Sequence, residues 1–300
     1  MAAPTSFSNR TAIVTGAAGC IGKPLCFALA RAGANVVAND YGCSPAGDGS
    51  SAIVEDLVKE LRAAGLSAIA DKHDISTDAE KVVDLAVKTF GRIDIIINNA
   101  GIIIYGPVEA QSMSAFRKVF EVNALGAMAL IHYAWPHMKR QKYGRIVNFS
   151  SDSVFGMPYS STYVLARGAM LGVTKSLAVE GKADNILVNS VGPCAFSRMC
   201  ADVIEDLPPD HQEAFKATYT GESNAAAILA LASEQNKYTG QTWVSGGWAM
   251  GRTAIMSIQE IKGLKTVDEV LKGMDVLMDK ERESIEPQSI EDYLSFRTQA

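Results

Sequence analysis

The sequence predicts an α/β fold: a doubly wound, mostly parallel sheet of seven strands, with a helical arm at the C-terminal end. Three observations carry that expectation. Short apolar runs alternate with amphipathic helical stretches, the pattern of repeated strand–helix–strand units. The fourth run, Ile93 to Ile97, is nearly all apolar, as a strand covered on both faces must be. The first run passes through a glycine-rich turn straight into a helix, which aims backbone N–H groups at one point.

Taken in order, Ala12–Val14 is the first strand, and Gly22–Ala32 a helix that tolerates Pro24 in its first turn. Asn35–Ala38 is the second strand, Ala52–Ala64 the next helix and Ser67–Ala70 the third strand. Ala79–Phe90 carries Val82, Val83, Leu85, Ala86 and Phe90 on one helical face. After the fourth strand come a long helix, Ser114 to Met138, and a fifth strand, Ile146–Phe149. A second long helix, Ser160 to Lys182, sets Tyr163 and Arg167 one turn apart on the same face. Ile186–Val191 and Thr242–Val244 complete the sheet. From Thr253 onward polar helical segments dominate, with charged runs such as Asp279–Glu283. The chain is therefore divided into a domain over 1–252 and an extension over 253–300 that packs on the domain or on a partner subunit.

Three hundred residues with 48% apolar content can bury a substantial core. No run reaches the roughly 18 apolar residues of a membrane span. The first residues lack the basic and apolar regions of a secretion signal, and the last are not a Ser-Lys-Leu address. A cytoplasmic protein with no membrane partner is expected. A net charge of −5 without a basic stripe argues against nucleic acid. Five cysteines, an odd number with no Cys-x-x-Cys pair, read as reduced thiols. The four histidines are scattered, and His132 and His137 miss the i,i+4 spacing of a zinc pair, so no metal is expected.

The turn Thr15-Gly16-Ala17-Ala18-Gly19-Cys20-Ile21-Gly22 can serve packing alone, but its place between strand and helix suits a pyrophosphate. Asp40 lies 18 positions past Gly22, at the end of the second strand. A carboxylate there can accept both ribose hydroxyls of NAD and repel a 2′-phosphate; the plainer alternative is a turn former before Gly42. A tyrosine, with a pKa of about 10, works as an acid/base at neutral pH only beside positive charge. Tyr163 has Arg167 beside it.

These residues, with Asn98-Asn99-Ala100-Gly101, Asn123 and the serines Ser150, Ser151 and Ser153, resemble the short-chain dehydrogenase/reductase family. The resemblance implies a Rossmann-type fold, a small-molecule substrate and NAD as cofactor. It implies catalytic roles for Tyr163, Ser151, Asn123 and Arg167. It implies cofactor contacts from Gly16, Gly19, Ile21, Gly22 and Asp40, from Asp74 and Ile75, from Asn99, Ala100 and Gly101, and from Tyr163 and Arg167. Counted from the fifth strand, the substrate-orienting serine is Ser151; counted back from Tyr163, it is Ser150. The family's pairing through two long helices implies a homodimer or homotetramer, with Trp135, Met128 and Met170 as apolar surface.

Two departures stand out. The glycines follow Gly-x-x-Gly-x-x-Gly rather than Gly-x-x-x-Gly-x-Gly, and the family's catalytic lysine is Arg167. Arginine keeps the charge but cannot release a proton. Either it is a tolerated replacement, or the site is diverted to a non-redox or regulatory role. The segment Pro193-Cys194-Ala195-Phe196-Ser197-Arg198-Met199, with Val37-x-Asn39-Asp40-x-Gly42 and the run Gly47–Ser51, resembles the dehydrogenase part of peroxisomal multifunctional enzyme type 2. That likeness implies a hydroxyl/keto pair on an acyl-CoA-like or similarly bulky skeleton, as in an (R)-3-hydroxyacyl-CoA.

Overall fold

The computed structural model describes residues 5–205, 207–279 and 281–298. Its main sheet has the order β3-β2-β1-β4-β5-β6-β7-β8. The strands are β1 (Thr11–Thr15), β2 (Asn35–Asn39), β3 (Ala68–Asp71), β4 (Ile95–Asn98), β5 (Gly144–Phe149), β6 (Ile186–Pro193), β7 (Thr242–Gly246) and β8 (Ala249–Thr253). The first seven pair in parallel. β8 was not anticipated. It follows β7 after only Gly247 and Trp248, both at positive φ, and so short a link allows only an antiparallel return.

Side chains alternate across each strand, and this period of two splits the core. On one face Ala12, Val14, Ile95, Ile97 and Val147 pack under α1 (Gly22–Arg31), α2 (Ile53–Ala63) and α9 (Ala225–Ala232). On the other, Ile13, Ile96 and Ile146 pack under α3 (Ile75–Phe90), α5 (Ala127–Gln141) and α6 (Ser161–Gly181). Helices on both faces make the domain doubly wound. The chain reverses its direction of travel between β1 and β4, which opens a crevice at the carboxyl ends of those strands.

Two helices differ from expectation. α3 starts at Ile75 rather than Ala79, with Asp74 as its cap and a non-helical residue, Asp78, inside its first turns. The long helix is three pieces: α4 (Met113–Phe120), a π-helical segment Glu121–Gly126, and α5. α7 (Ala201–Glu205) and α8 (Pro209–Thr218) follow β6. Met170 is 1% exposed and belongs to a core cluster, while Trp135 and Met128 lie partly buried against another. None of the three is the free apolar surface the sequence suggested.

The chain forms two compact units, divided between Arg252 and Thr253. Besides α10 (Val267–Leu277) and α11 (Ile290–Thr298), the second unit holds an antiparallel pair, β9 (Ser257–Ile258) with β10 (Ser284–Ile285). A capping box joins Thr266 and Glu269 at the start of α10. Among the described residues no helix is long and apolar enough to cross a membrane.

Candidate active site

The glycine turn leaves β1 at Gly16, whose φ of +62° favours glycine. A Cβ at Gly16 would lie 2.7 Å from Asn99 Nδ2, and one at Gly22 only 2.1 Å from the Gly16 carbonyl oxygen. Asn99 Nδ2 donates to the carbonyls of Thr15 (2.7 Å) and Gly16 (2.9 Å), and the Ala100 N–H donates to Thr15 Oγ1 (3.0 Å). The ends of β1 and β4 are thus bound together. Gly19 is different: a Cβ there meets only the Gly16 oxygen, at 3.2 Å, and its φ is not left-handed. Packing demands Gly16 and Gly22 more than Gly19, which lies on the wall of a cavity of about 950 Å³. Ile21 caps α1 without a side-chain acceptor, so nothing from the side chain competes for the positive end of the helix.

Asp40 lines the same cavity. Its Oδ2 accepts from the Ala18 N–H (2.9 Å) and its Oδ1 from the Gly42 N–H (2.8 Å). Each oxygen keeps a free lone pair, so the turn-forming and ligand-binding readings coexist in one carboxylate. Asp74 accepts from Ser76 N–H at 2.8 Å and Ser76 Oγ at 2.7 Å, and Ile75 packs beside Gly126. Asp74, Ile75, Ala100 and Gly101 all line the cavity.

Tyr163, in the first turn of α6, and Arg167 line its other end. Arg167 is 3% exposed. Its Nη1 donates to the Phe149 carbonyl (3.0 Å) and its Nη2 to the Ala100 carbonyl (3.4 Å), joining the ends of β5 and β4. Nε is buried without a partner among the described residues. The guanidinium carbon lies 5.1 Å from the centre of the Tyr163 ring. A Cβ at Gly101 would stand 2.0 Å from Nη2, so the wide guanidinium fits only against a glycine.

The serines separate. Ser150 Oγ is buried and donates to the Arg167 carbonyl (3.1 Å), pinning the strand end to α6. Ser151 Oγ accepts from the Ser153 N–H (3.1 Å) and caps a short 3-10 turn, Asp152–Phe155. Ser153 Oγ is buried on the cavity wall with no partner among the described residues.

Asn123 stands apart. It is 1% exposed in the π-helical segment and is not among the lining residues. Its Oδ1 accepts from the Ile102 N–H (2.8 Å) and its Nδ2 donates to the Ile102 carbonyl (2.9 Å). π-helical turns recur at functional sites. Here one presents an amide that holds the chain leaving β4.

Gly221 gave no signal in the sequence, and Cys194 stood out only as part of the Pro193–Met199 segment. Gly221 abuts the Cys20 carbonyl so closely that a Cβ would be 1.7 Å from it. Cys194 shares the cavity, and burial, then the Asp152 carboxylate, push its thiol up to about 11. It is a protonated thiol at neutral pH, not a nucleophile. Among the described residues no cluster suited to a metal ion occurs.

The short chain dehydrogenase family pattern matches residues 10–206. Mouse peroxisomal multifunctional enzyme type 2 is 38% identical over 252 residues, 83% of this chain and 33% of that protein. A short-chain type dehydrogenase/reductase of Mycobacterium tuberculosis is 33% identical over 251 residues, 82% of this chain and 85% of that protein. The full-length structure of peroxisomal multifunctional enzyme type 2 from Drosophila melanogaster superposes with a TM-score of 0.81, covering 98% of this chain and 49% of that one, at 22% identity, a likeness of fold. The chain spans between 23% and 54% of the length of multifunctional relatives from Saccharomyces cerevisiae, Dictyostelium discoideum and Neurospora crassa.

Proposed function

The chain belongs to the short-chain dehydrogenase/reductase family and is an NAD(P)-dependent oxidoreductase, and on that premise we propose that it interconverts a secondary alcohol and a ketone using NAD. The observation that carries this reading is one cavity holding both the glycine turn and the Tyr163–Arg167 pair. The residues fit a dinucleotide: Gly19 withholds a side chain where packing demands it less than at Gly16 and Gly22, and among the described residues Ser153 Oγ and Arg167 Nε are buried polar atoms without partners.

When bound, the nicotinamide supplies or accepts the hydride. Tyr163 exchanges the proton with the substrate oxygen, and the guanidinium of Arg167 stands beside its ring. Arg167 cannot pass a proton on, so it acts by charge and position alone. Ser151 orients the substrate oxygen at the cavity wall, and Asn123 holds the β4 exit in place. The non-redox alternative has only the change from lysine to arginine behind it.

Asp40 supports NAD over NADP, because its carboxylate would meet a 2′-phosphate. The substrate is read as acyl-CoA-like or similarly bulky, from the likeness to the multifunctional enzymes and the size of the cavity. The odd cysteine count suits a reducing compartment, and we place the protein in the cytoplasm, although several relatives are named peroxisomal. The test is steady-state turnover of 3-hydroxyacyl thioesters and simple secondary alcohols with each cofactor. NAD is expected to be preferred, and Asp40→Asn to narrow that preference by about 1–3 kcal/mol, roughly 5- to 150-fold. A clear preference for NADP in the wild type would overturn the cofactor assignment.

A further inference from the structure

A second cavity of about 460 Å³ adjoins the first. Pro107, Val108, Met157, Pro158 and Val164 supply most of its wall, and Gly156 and Met157 line both cavities. Tyr163 and Val164 are consecutive on α6, where neighbours point about 100° apart, so the first turn of that helix also faces both spaces. The partition is thin and pliable: Gly156 has open space where a Cβ would stand, and methionine adapts its shape to what it packs against.

The cavity is also built in advance. Tyr159 holds a left-handed φ of +60°, uncommon for an aromatic residue. Its carbonyl accepts from the Gly106 N–H at 2.8 Å and from Gln111 Nε2 at 3.5 Å. Gln111 Oε1 accepts from Ser161 Oγ at 2.7 Å, and Thr162 Oγ1 donates to the Ile104 carbonyl at 2.9 Å. These bonds fasten the loop after β4 to the start of α6 and keep the two walls apart. Val108 and Tyr159 on its wall, and Phe155 on the wall of the first cavity, remain 66%, 64% and 68% exposed. Glu109 is exposed and lines the same cavity, and its negative charge opposes an anionic group there.

We propose that this second cavity takes the apolar chain of the substrate, an unbranched alkyl or acyl tail whose carbinol carbon lies in the first cavity. The proposal rests on the redox reading above and adds where the substrate's bulk goes. Adjacency to the reaction cavity across the Gly156–Met157 partition and the apolar walls favour a hydrocarbon tail. Glu109 disfavours the phosphate-bearing end of the same molecule.

The test measures affinity and turnover of the full chain with 2-butanol, 2-hexanol and 2-decanol, by calorimetry and by NADH formation. Affinity is expected to climb by up to about fourfold per methylene until the cavity is filled. Val108→Glu places a charge on the wall at a site exposed enough to leave folding intact, and should flatten the ratio of 2-decanol to 2-butanol affinity; Val108→Leu should preserve it. Affinity independent of length, or the same ratio in Val108→Glu as in the wild type, would overturn the assignment. No turnover of these alcohols or of a 3-hydroxyacyl thioester with either cofactor, while affinity still climbs with length, would refute the redox reading and leave the chain-binding cavity standing.

Discussion

Arg167 shows at one residue why shape matters as much as charge. Lysine would present a single ammonium to this site; arginine spans two strand ends and leaves no room at Gly101 for a side chain. Removing it in Arg167→Ala leaves the Phe149 and Ala100 carbonyls buried without donors, an expected loss of about 1–3 kcal/mol for each, read from urea unfolding. Arg167→Lys is the discriminating change: in a redox enzyme turnover should hold or rise, and a collapse with folding intact would point to a site that uses the guanidinium itself. The glycines make a second pair. Gly22→Ala forces a Cβ against backbone and should cost about 1–3 kcal/mol or more of stability. Gly19→Ala should leave unfolding nearly unchanged and weaken NAD binding, measured by calorimetry. Equal effects of the two would mean that Gly19 serves packing as well. The residue types at these places were legible because tight turns and acid/base chemistry admit few alternatives. The destinations of individual bonds were not: nothing in the spacing distinguishes Ser153, with a free hydroxyl, from Ser150, fastened to the Arg167 carbonyl.

Elements were legible where a periodicity runs uninterrupted. The seven parallel strands stand where short apolar runs put them, because both faces of each are covered. α3 was read as starting late because Asp78 breaks its first turns and the capping carboxylate of Asp74 precedes them. The π-helical segment escaped notice because one wide turn hardly disturbs an apolar stripe. β8 escaped because its residues are largely exposed and show no clean alternation; the pair Gly246-Gly247 was its only signal. The π-helical segment has a measurable role. Asn123→Ala strands both the N–H and the carbonyl of Ile102, and should destabilise the protein by about 2–5 kcal/mol in urea unfolding. A loss under about 1 kcal/mol would mean that the loop after β4 finds other partners.

At the scale of the whole domain, α5 and α6 present an apolar face. Leu165 and Val179 on α6 and Tyr133 on α5 are exposed, with Leu125 just before α5, and Gly168 and Gly172 have open space beside them. We read that face as a homodimer contact, since flat helices with small residues admit close approach of a second copy. Light scattering at micromolar concentration should give at least a dimer mass, and Gly172→Arg a smaller one. A wild-type monomer would refute the contact. The central claim is that this molecule moves a hydride with Tyr163 as its acid/base. It is tested most directly by measuring NADH formation and NAD affinity side by side in the full chain and in Tyr163→Phe. The expected result is NAD affinity close to wild type with turnover reduced by about 10²–10⁴-fold, the usual worth of a positioned acid/base. Turnover in Tyr163→Phe at the wild-type rate would contradict it.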